Sequence, residues 1–171
     1  MQTGTSNTPF LPEVEVIQRA IEEIESFVTD RSRSDWTQAV KKSFTKLGLA
    51  HHWGICANVS IKHEDVHKEW LFDLTWFSSP ENRLNKLGLV LESEWEKGIE
   101  AIKYDFEKLL IARAPYKVVL FDATDMERPR FINELKEIVR GYSEHAANEV
   151  YFLAAYNGGR FVVDIVRPGL T

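Results

Sequence analysis

Two apolar runs near the middle of the chain, Glu69 to Phe77 (EWLFDLTWF) and Gly88 to Trp95 (GLVLESEW), carry carboxylates where a strand pattern calls for hydrocarbon. With the period of two that a strand imposes, Leu71, Asp73, Thr75 and Phe77 share one face, while Val90, Glu92 and Glu94 share one face of the next run. If the runs pair as neighbouring strands, Asp73, Glu92 and Glu94 converge. Charges in a half-buried sheet are costly unless something neutralises them, and acids gathered without a base between them call for a divalent cation. The expectation is a site for Mg²⁺ or Mn²⁺.

The rest of the chain sets the frame for such a site. At 171 residues, 44% hydrophobic and 12% aromatic, it fits one domain with a real core. The single cysteine, Cys56, rules out disulfide stapling within the chain and a cysteine-rich zinc site, and it reads as a small buried hydrophobe. No run reaches the length of a membrane span and the start (MQTGTSNTPFLPE) has no signal-peptide pattern, so the expected compartment is the cytoplasm. A net charge of −5 argues against a generally basic nucleic-acid binder, although the acids of a metal site contribute to that figure.

The hydrophobic period gives the element order. Residues 1–11 read as a flexible N-terminus. Pro12 opens a first helix, with Ile17, Ala20, Ile21, Ile24 and Val28 at helical spacing through about Thr29. A second helix, capped by Ser34 or Asp35, carries Trp36, Ala39, Val40, Phe44 and Leu47 and ends near Gly48. Three strand-like stretches follow: His51 to Val59, then the two acid-bearing runs, which are joined by the turn-rich SSPENRLNK. A helix from Ile99 to about Arg113, a strand Lys117 to Phe121 and a charged helix from about Met126 to Gly141 come next. Within residues 142–171, a hairpin around Asn157-Gly158-Gly159 supplies two edge strands that complete the sheet. This α-α-β-β-β-α-β-α-β-β order describes a single α/β domain over residues 1–171, a mixed sheet with helices on both faces.

The order, with an acid in the second strand and an acid-x-acid pair in the third before a helix, resembles the PD-(D/E)XK nuclease superfamily, the restriction-endonuclease-like fold. The likeness covers roughly Pro12 to Phe121. It implies a divalent-metal-dependent nuclease hydrolysing phosphodiester bonds, with Asp73, Glu92 and Glu94 as catalytic metal ligands and DNA preferred over RNA. It also implies that double-strand cutting pairs two sites in a homodimer. Two departures stand out: Phe72 precedes Asp73 in place of proline, and Glu94 stands where the motif lysine belongs. Some family members supply that lysine from the following helix, which makes Lys108 the candidate charge stabiliser. Others lend a first-helix glutamate to the metal, which makes Glu13 a secondary ligand candidate, although Glu13 also suits the positive end of the helix dipole. The plainer alternative leaves Glu92 or Glu94 on a wet face, with Asp73 paired to an arginine such as Arg83.

Two further signals compete. His63-Glu64-Asp65-Val66-His67 matches the short zinc-peptidase pattern, but the segment is almost wholly charged, and a polar turn or short solvated helix is the favoured reading. Arg31, Arg33, Lys41, Lys42 and Lys46 give the stretch from Arg31 to His52 a local charge of about +4, the best nucleic-acid surface in the sequence or else a solvated helix face. Trp53, Trp70, Trp76 and Trp95 read as core. The leading expectation is therefore a Mg²⁺- or Mn²⁺-dependent nuclease. The alternative is a non-catalytic interaction or regulatory module of the same fold, and a zinc peptidase is the remote third.

Overall fold

The computed structural model describes residues 8–28, 32–79 and 84–168. Residues 1–7 of the expected N-terminal arm, the Thr29 end of the first helix, Arg31, Arg83 and the middle of the SSPENRLNK connection lie outside them. Residues 8–11 are tied down rather than free. The Phe10 amide donates to His51 O at 3.3 Å, Trp53 Nε1 donates to Phe10 O at 2.8 Å, and Leu11 packs on the core.

Isoleucine spacing makes the first helix. In α1 (Val14–Glu22), Ile17 and Ile21 lie one turn apart, and a 3₁₀ turn (Ile24–Phe27) continues the stripe with the fully buried Ile24. The second helix, α2 (Arg33–Ala50), begins earlier than expected because Ser32 is its N-cap, its hydroxyl accepting from the Asp35 amide at 3.1 Å. It also runs past Gly48. That glycine is a close-approach residue: a Cβ there would come within 2.5 Å of Ile55 Cδ1 and 2.6 Å of Trp76 Nε1. The helix is ended instead by His51 and by His52, whose φ is +64°.

The remaining elements are β1 (Gly54–Cys56), β2 (Val66–His67), β3 (Leu74–Ser78), β4 (Lys86–Glu94), α3 (Ile99–Leu110), β5 (Tyr116–Asp122), α4 (Arg128–Gly141), β6 (Val150–Asn157) and β7 (Arg160–Val166). The described residues thus form a mixed α/β protein with one seven-stranded sheet, ordered β2-β1-β3-β4-β5-β6-β7. Strands β1, β3 and β4 run antiparallel to one another in turn, β4, β5 and β6 are parallel, and β7 returns antiparallel. The hairpin forms as its glycines demand, with φ of +56° and +109° at Gly158 and Gly159. Of the hairpin's two strands only β7 is an edge, however. The run from Val150 to Ala155 is buried throughout, as a parallel-sheet strand covered on both faces should be.

Each face of the sheet has its own core. On one, Ile17, Val40 and Phe44 of the first two helices meet Trp76, Leu91, Val118 and Phe152. On the other, Ile102 and Phe106 of α3 and Phe131 and Leu135 of α4 meet Val90, Val119 and Leu153. Each fully buried Ile or Phe of these clusters contributes about 1.5–3 kcal/mol. Together they hold the carboxyl ends of β4, β5 and β6 at one rim of the sheet, the place where open α/β sheets bind ligands. Among the described residues no helix is long and apolar enough to cross a membrane.

Two expectations about single residues change here. Trp53, Trp76 and Trp95 are core, but Trp70 is 49% exposed, because it precedes β3 in an irregular turn. Cys56 is half-buried rather than buried, and its partial burial pushes the thiol above its ordinary pKa.

Candidate functional site

The register of β3 on β4 decides which acids meet. Leu74 faces Leu91 and Thr75 faces Val90, so one further step leads from Asp73 to Glu92. Asp73 itself lies in the bend before β3, after Leu71 with φ +62°, and this turn takes it off the alternating face expected for it. Its Oδ2 accepts from both the amide and the hydroxyl of Ser93, at 2.9 and 2.7 Å. Its Oδ1 lies 3.2 Å from Lys41 Nζ.

Glu92 is 4% exposed. Its Oε1 lies 2.8 Å from Lys108 Nζ, yet this buried oxygen receives no aligned hydrogen bond. Burial pushes its pKa up to about 7; the Lys108 ammonium draws it back in part, and the Asp73 and Asp105 charges add to the rise. Lys108 is shared, standing 2.8 Å from Asp105 Oδ1 one turn back on α3 and over the Tyr104 ring at 5.9 Å. Burial alone would lower its pKa, but the two carboxylates outweigh that and hold it above its usual value. The helix lysine singled out from the sequence therefore reaches the strand acid.

Glu94 and Glu13 stand apart from this pair. Glu94 Oε1 accepts from the Glu96 amide at 2.5 Å, closing the turn that leads toward α3. Glu13 is the exposed N-cap residue of α1, near Tyr116 at the opposite end of β5, where its charge helps to raise the tyrosine's pKa beneath the larger effect of burial. It is not brought to Asp73 and Glu92, because α1 begins beside the start of β5 and Tyr116 donates to Pro12 O at 2.7 Å.

The basic stretch of α2 divides. Arg33, Lys42 and Lys46 are exposed, and Lys46 sits over the Phe27 ring at 5.3 Å. Lys41, by contrast, is 5% exposed and belongs to the site. Its Nζ makes a 2.5 Å bond to Glu69 Oε2 as well as its pairing with Asp73, and these two acids more than offset the lowering effect of burial on its pKa. Lys41 is thus a buried counter-ion and not part of a solvated nucleic-acid surface. Its place three residues before the buried Phe44 and seven before the buried Gly48 was the sign of this. Glu69, the other partner, was marked by no pattern.

The histidine motif does not form the helix a zinc peptidase needs. Residues 64 and 65 form a turn and Val66–His67 is β2, paired with Ile55 and Cys56 of β1. His63 Nδ1 accepts from the Asp65 amide at 3.1 Å, and His67 packs near Phe77. Among the described residues no group of three or more His, Cys, Asp and Glu side chains is arranged to hold a metal ion. The carboxylates that could each offer an oxygen to a hard cation are Asp73, fixed by Ser93, and Glu92, with a buried oxygen short of hydrogen bonds. Mg²⁺ is commonly held by only one or two carboxylates, with water and substrate phosphate completing its shell.

Fold and site together define a mixed α/β protein whose lysine-paired acids lie at the carboxyl rim of its parallel strands. No family model, curated protein or solved structure matches this chain.

Proposed function

We propose that this protein is a divalent-metal-dependent nuclease of PD-(D/E)XK type that hydrolyses phosphodiester bonds of nucleic acid, with DNA preferred over RNA by the resemblance alone. The observation that carries the reading is the 2.8 Å approach of Lys108 to Glu92, with Asp73 near enough for its charge to help raise the Glu92 pKa. One acid precedes β3, the next lies on β4 one residue beyond the Leu74–Leu91 pair, and a lysine from the following helix reaches that second acid at 2.8 Å. The order of β1, β3, β4, α3 and β5, with β5 parallel to β4, supports it as well.

Asp73 and Glu92 would hold Mg²⁺ or Mn²⁺, which when bound would polarise the phosphoryl oxygen and lower the pKa of its water. The chain's own groups do the rest. Ser93 fixes the rotamer of Asp73, leaving Oδ1 to exchange Lys41 for another cation. Burial keeps Glu92 reluctant to ionise alone, so a cation replaces a proton there instead of meeting a fully solvated anion. The Lys108 ammonium, 37% exposed along its side chain, is positioned to stabilise charge developing on the phosphate. Glu94 would join as a third ligand only on releasing the Glu96 amide.

A second reading, a non-catalytic module of the same fold, is favoured by one observation: Asp73 and Glu92 each already face a lysine. Incubation of supercoiled plasmid with Mg²⁺ or Mn²⁺ separates the two. Nicking or cutting by the wild type that disappears in Asp73→Ala and Glu92→Ala establishes the enzyme. An inert wild type that takes up no metal leaves the module, and equal cleavage by all three proteins moves the activity elsewhere.

A further inference from the structure

An open groove of about 870 Å³ runs between the first half of α2 and the segment from Ala57 to Lys68. Gln38 and Lys42 line it from the helix, and Asn58, Ser60, His67 and Lys68 from the other side. Gln38 Nε2 donates to Asn58 O at 3.1 Å, bracing the two walls. Lys42 and Lys68 are exposed and outnumber Asp35, the single acid in the lining. Each wall continues in the chain toward Asp73's counter-ion, for Lys42 follows Lys41 on α2 and Lys68 precedes Glu69, the two residues joined at 2.5 Å.

At the same end the chain presents an apolar tip. The Phe72 amide donates back to Trp70 O at 2.8 Å around Leu71, whose φ is +62°. That is a three-residue turn with its central residue on the left-handed side, a strained form for a leucine. The turn leaves Trp70 49% and Leu71 69% exposed, with the buried Phe72 between them and Asp73. A polar groove with opposed ammonium groups suits a chain of phosphates, and an indole at its end suits a base. The volume is that of a small-ligand pocket, which a short single strand can occupy.

From this geometry we infer that a single-stranded stretch of nucleic acid lies in the groove, with its phosphates on Lys42 and Lys68 and a base stacked on Trp70, which directs the neighbouring linkage toward Asp73. The inference rests on the nuclease reading and specifies its substrate. Trp70 is a specificity residue in this scheme and takes no part in the chemistry.

The test is binding without turnover: fluorescence anisotropy of labelled oligo(dT), and of a duplex of equal length, in EDTA. Wild type binds oligo(dT) more tightly than duplex. Trp70→Ala weakens oligo(dT) binding about tenfold, Trp70→Phe restores most of it, and Lys42→Glu with Lys68→Glu abolishes it. Circular dichroism confirms the fold of each variant. Duplex bound as tightly as single strand, or Trp70→Ala binding like wild type, overturns the inference, even if the wild type cuts plasmid. Conversely, Trp70-dependent binding in a protein whose Asp73→Ala variant cuts plasmid like wild type preserves the groove and discards the assignment of Asp73.

Discussion

The Lys108 ammonium bridges Glu92 on β4 and Asp105 on its own helix, 2.8 Å from an oxygen of each. One cation therefore serves two acids, and the acid on the strand is the buried one. Lys108→Ala removes the counter-charge without opening the core, since the side chain is 37% exposed. The loss of stability is modest, about 1 kcal/mol, because Glu92, already held near pKa 7, takes up a proton when its counter-charge is removed. Turnover of a phosphodiester substrate falls far more, by roughly a hundredfold. Steady-state cleavage beside a urea melt separates the two effects, and unchanged turnover removes Lys108 from the chemistry.

In metal-free protein, Glu92 makes stability depend on pH. Its pKa lies near 7 in the folded state against an ordinary 4.5, so the folded protein keeps a proton that the unfolded chain releases between those values. The stabilisation is complete below pH 4.5 and is lost as pH rises through about 7. The size is on the order of 3 kcal/mol at most. Urea melts in EDTA at pH 5 and pH 8 measure it, and Glu92→Gln flattens the difference. A wild type and a variant with parallel pH profiles would contradict the assignment.

Divalent metal is expected to reverse that trend, because it binds the ionised form. At a concentration one hundred times its dissociation constant it adds about 2.7 kcal/mol, a rise of roughly 5–10 °C in Tm for a chain of this length. The rise is larger at pH 8 than at pH 5, where protons compete for Glu92. Asp73→Asn abolishes it. A thermal shift that survives in Asp73→Asn places the cation elsewhere.

What the sequence made legible was whatever repeats. The isoleucines of α1, the stripe of α2, the continuous apolar runs of β5 and β6 and the Asn157-Gly158-Gly159 turn each state their element in a local pattern, and the strands that carry Glu92 and face Asp73 followed from them. The misplaced details depend on single dihedrals or distant neighbours. A positive φ at Leu71 turns Asp73 toward Ser93, and leucine gives no warning of it. Strand β2 has two residues, too few to show a period, so a histidine motif there could pass for a helix. Gly48 looked like a helix stop because glycine commonly is one, whereas here the Trp76 indole occupies the space of its missing side chain.

Lys117, near the start of β5, is wholly buried and held by a closed polar network. Its Nζ lies 2.9 Å from Glu149 Oε2 and donates to Leu110 O and Tyr151 Oη, both at 3.0 Å, while His145 Nδ1 approaches the same Glu149 oxygen at 3.0 Å. Burial pulls the Lys117 pKa down; the same burial would raise Glu149, but its His145 and Lys117 partners keep it below the usual carboxylate range. Lys117→Met therefore strands a buried carboxylate and costs about 3–5 kcal/mol. Adding Glu149→Gln to that variant removes the stranded charge and recovers part of the loss, although the amide still needs partners for its own polar atoms. Urea midpoints of the wild type, both single variants and the double variant close the cycle. Strictly additive losses would mean that the pair carries no coupling and that packing alone holds β5 and β6 at this point.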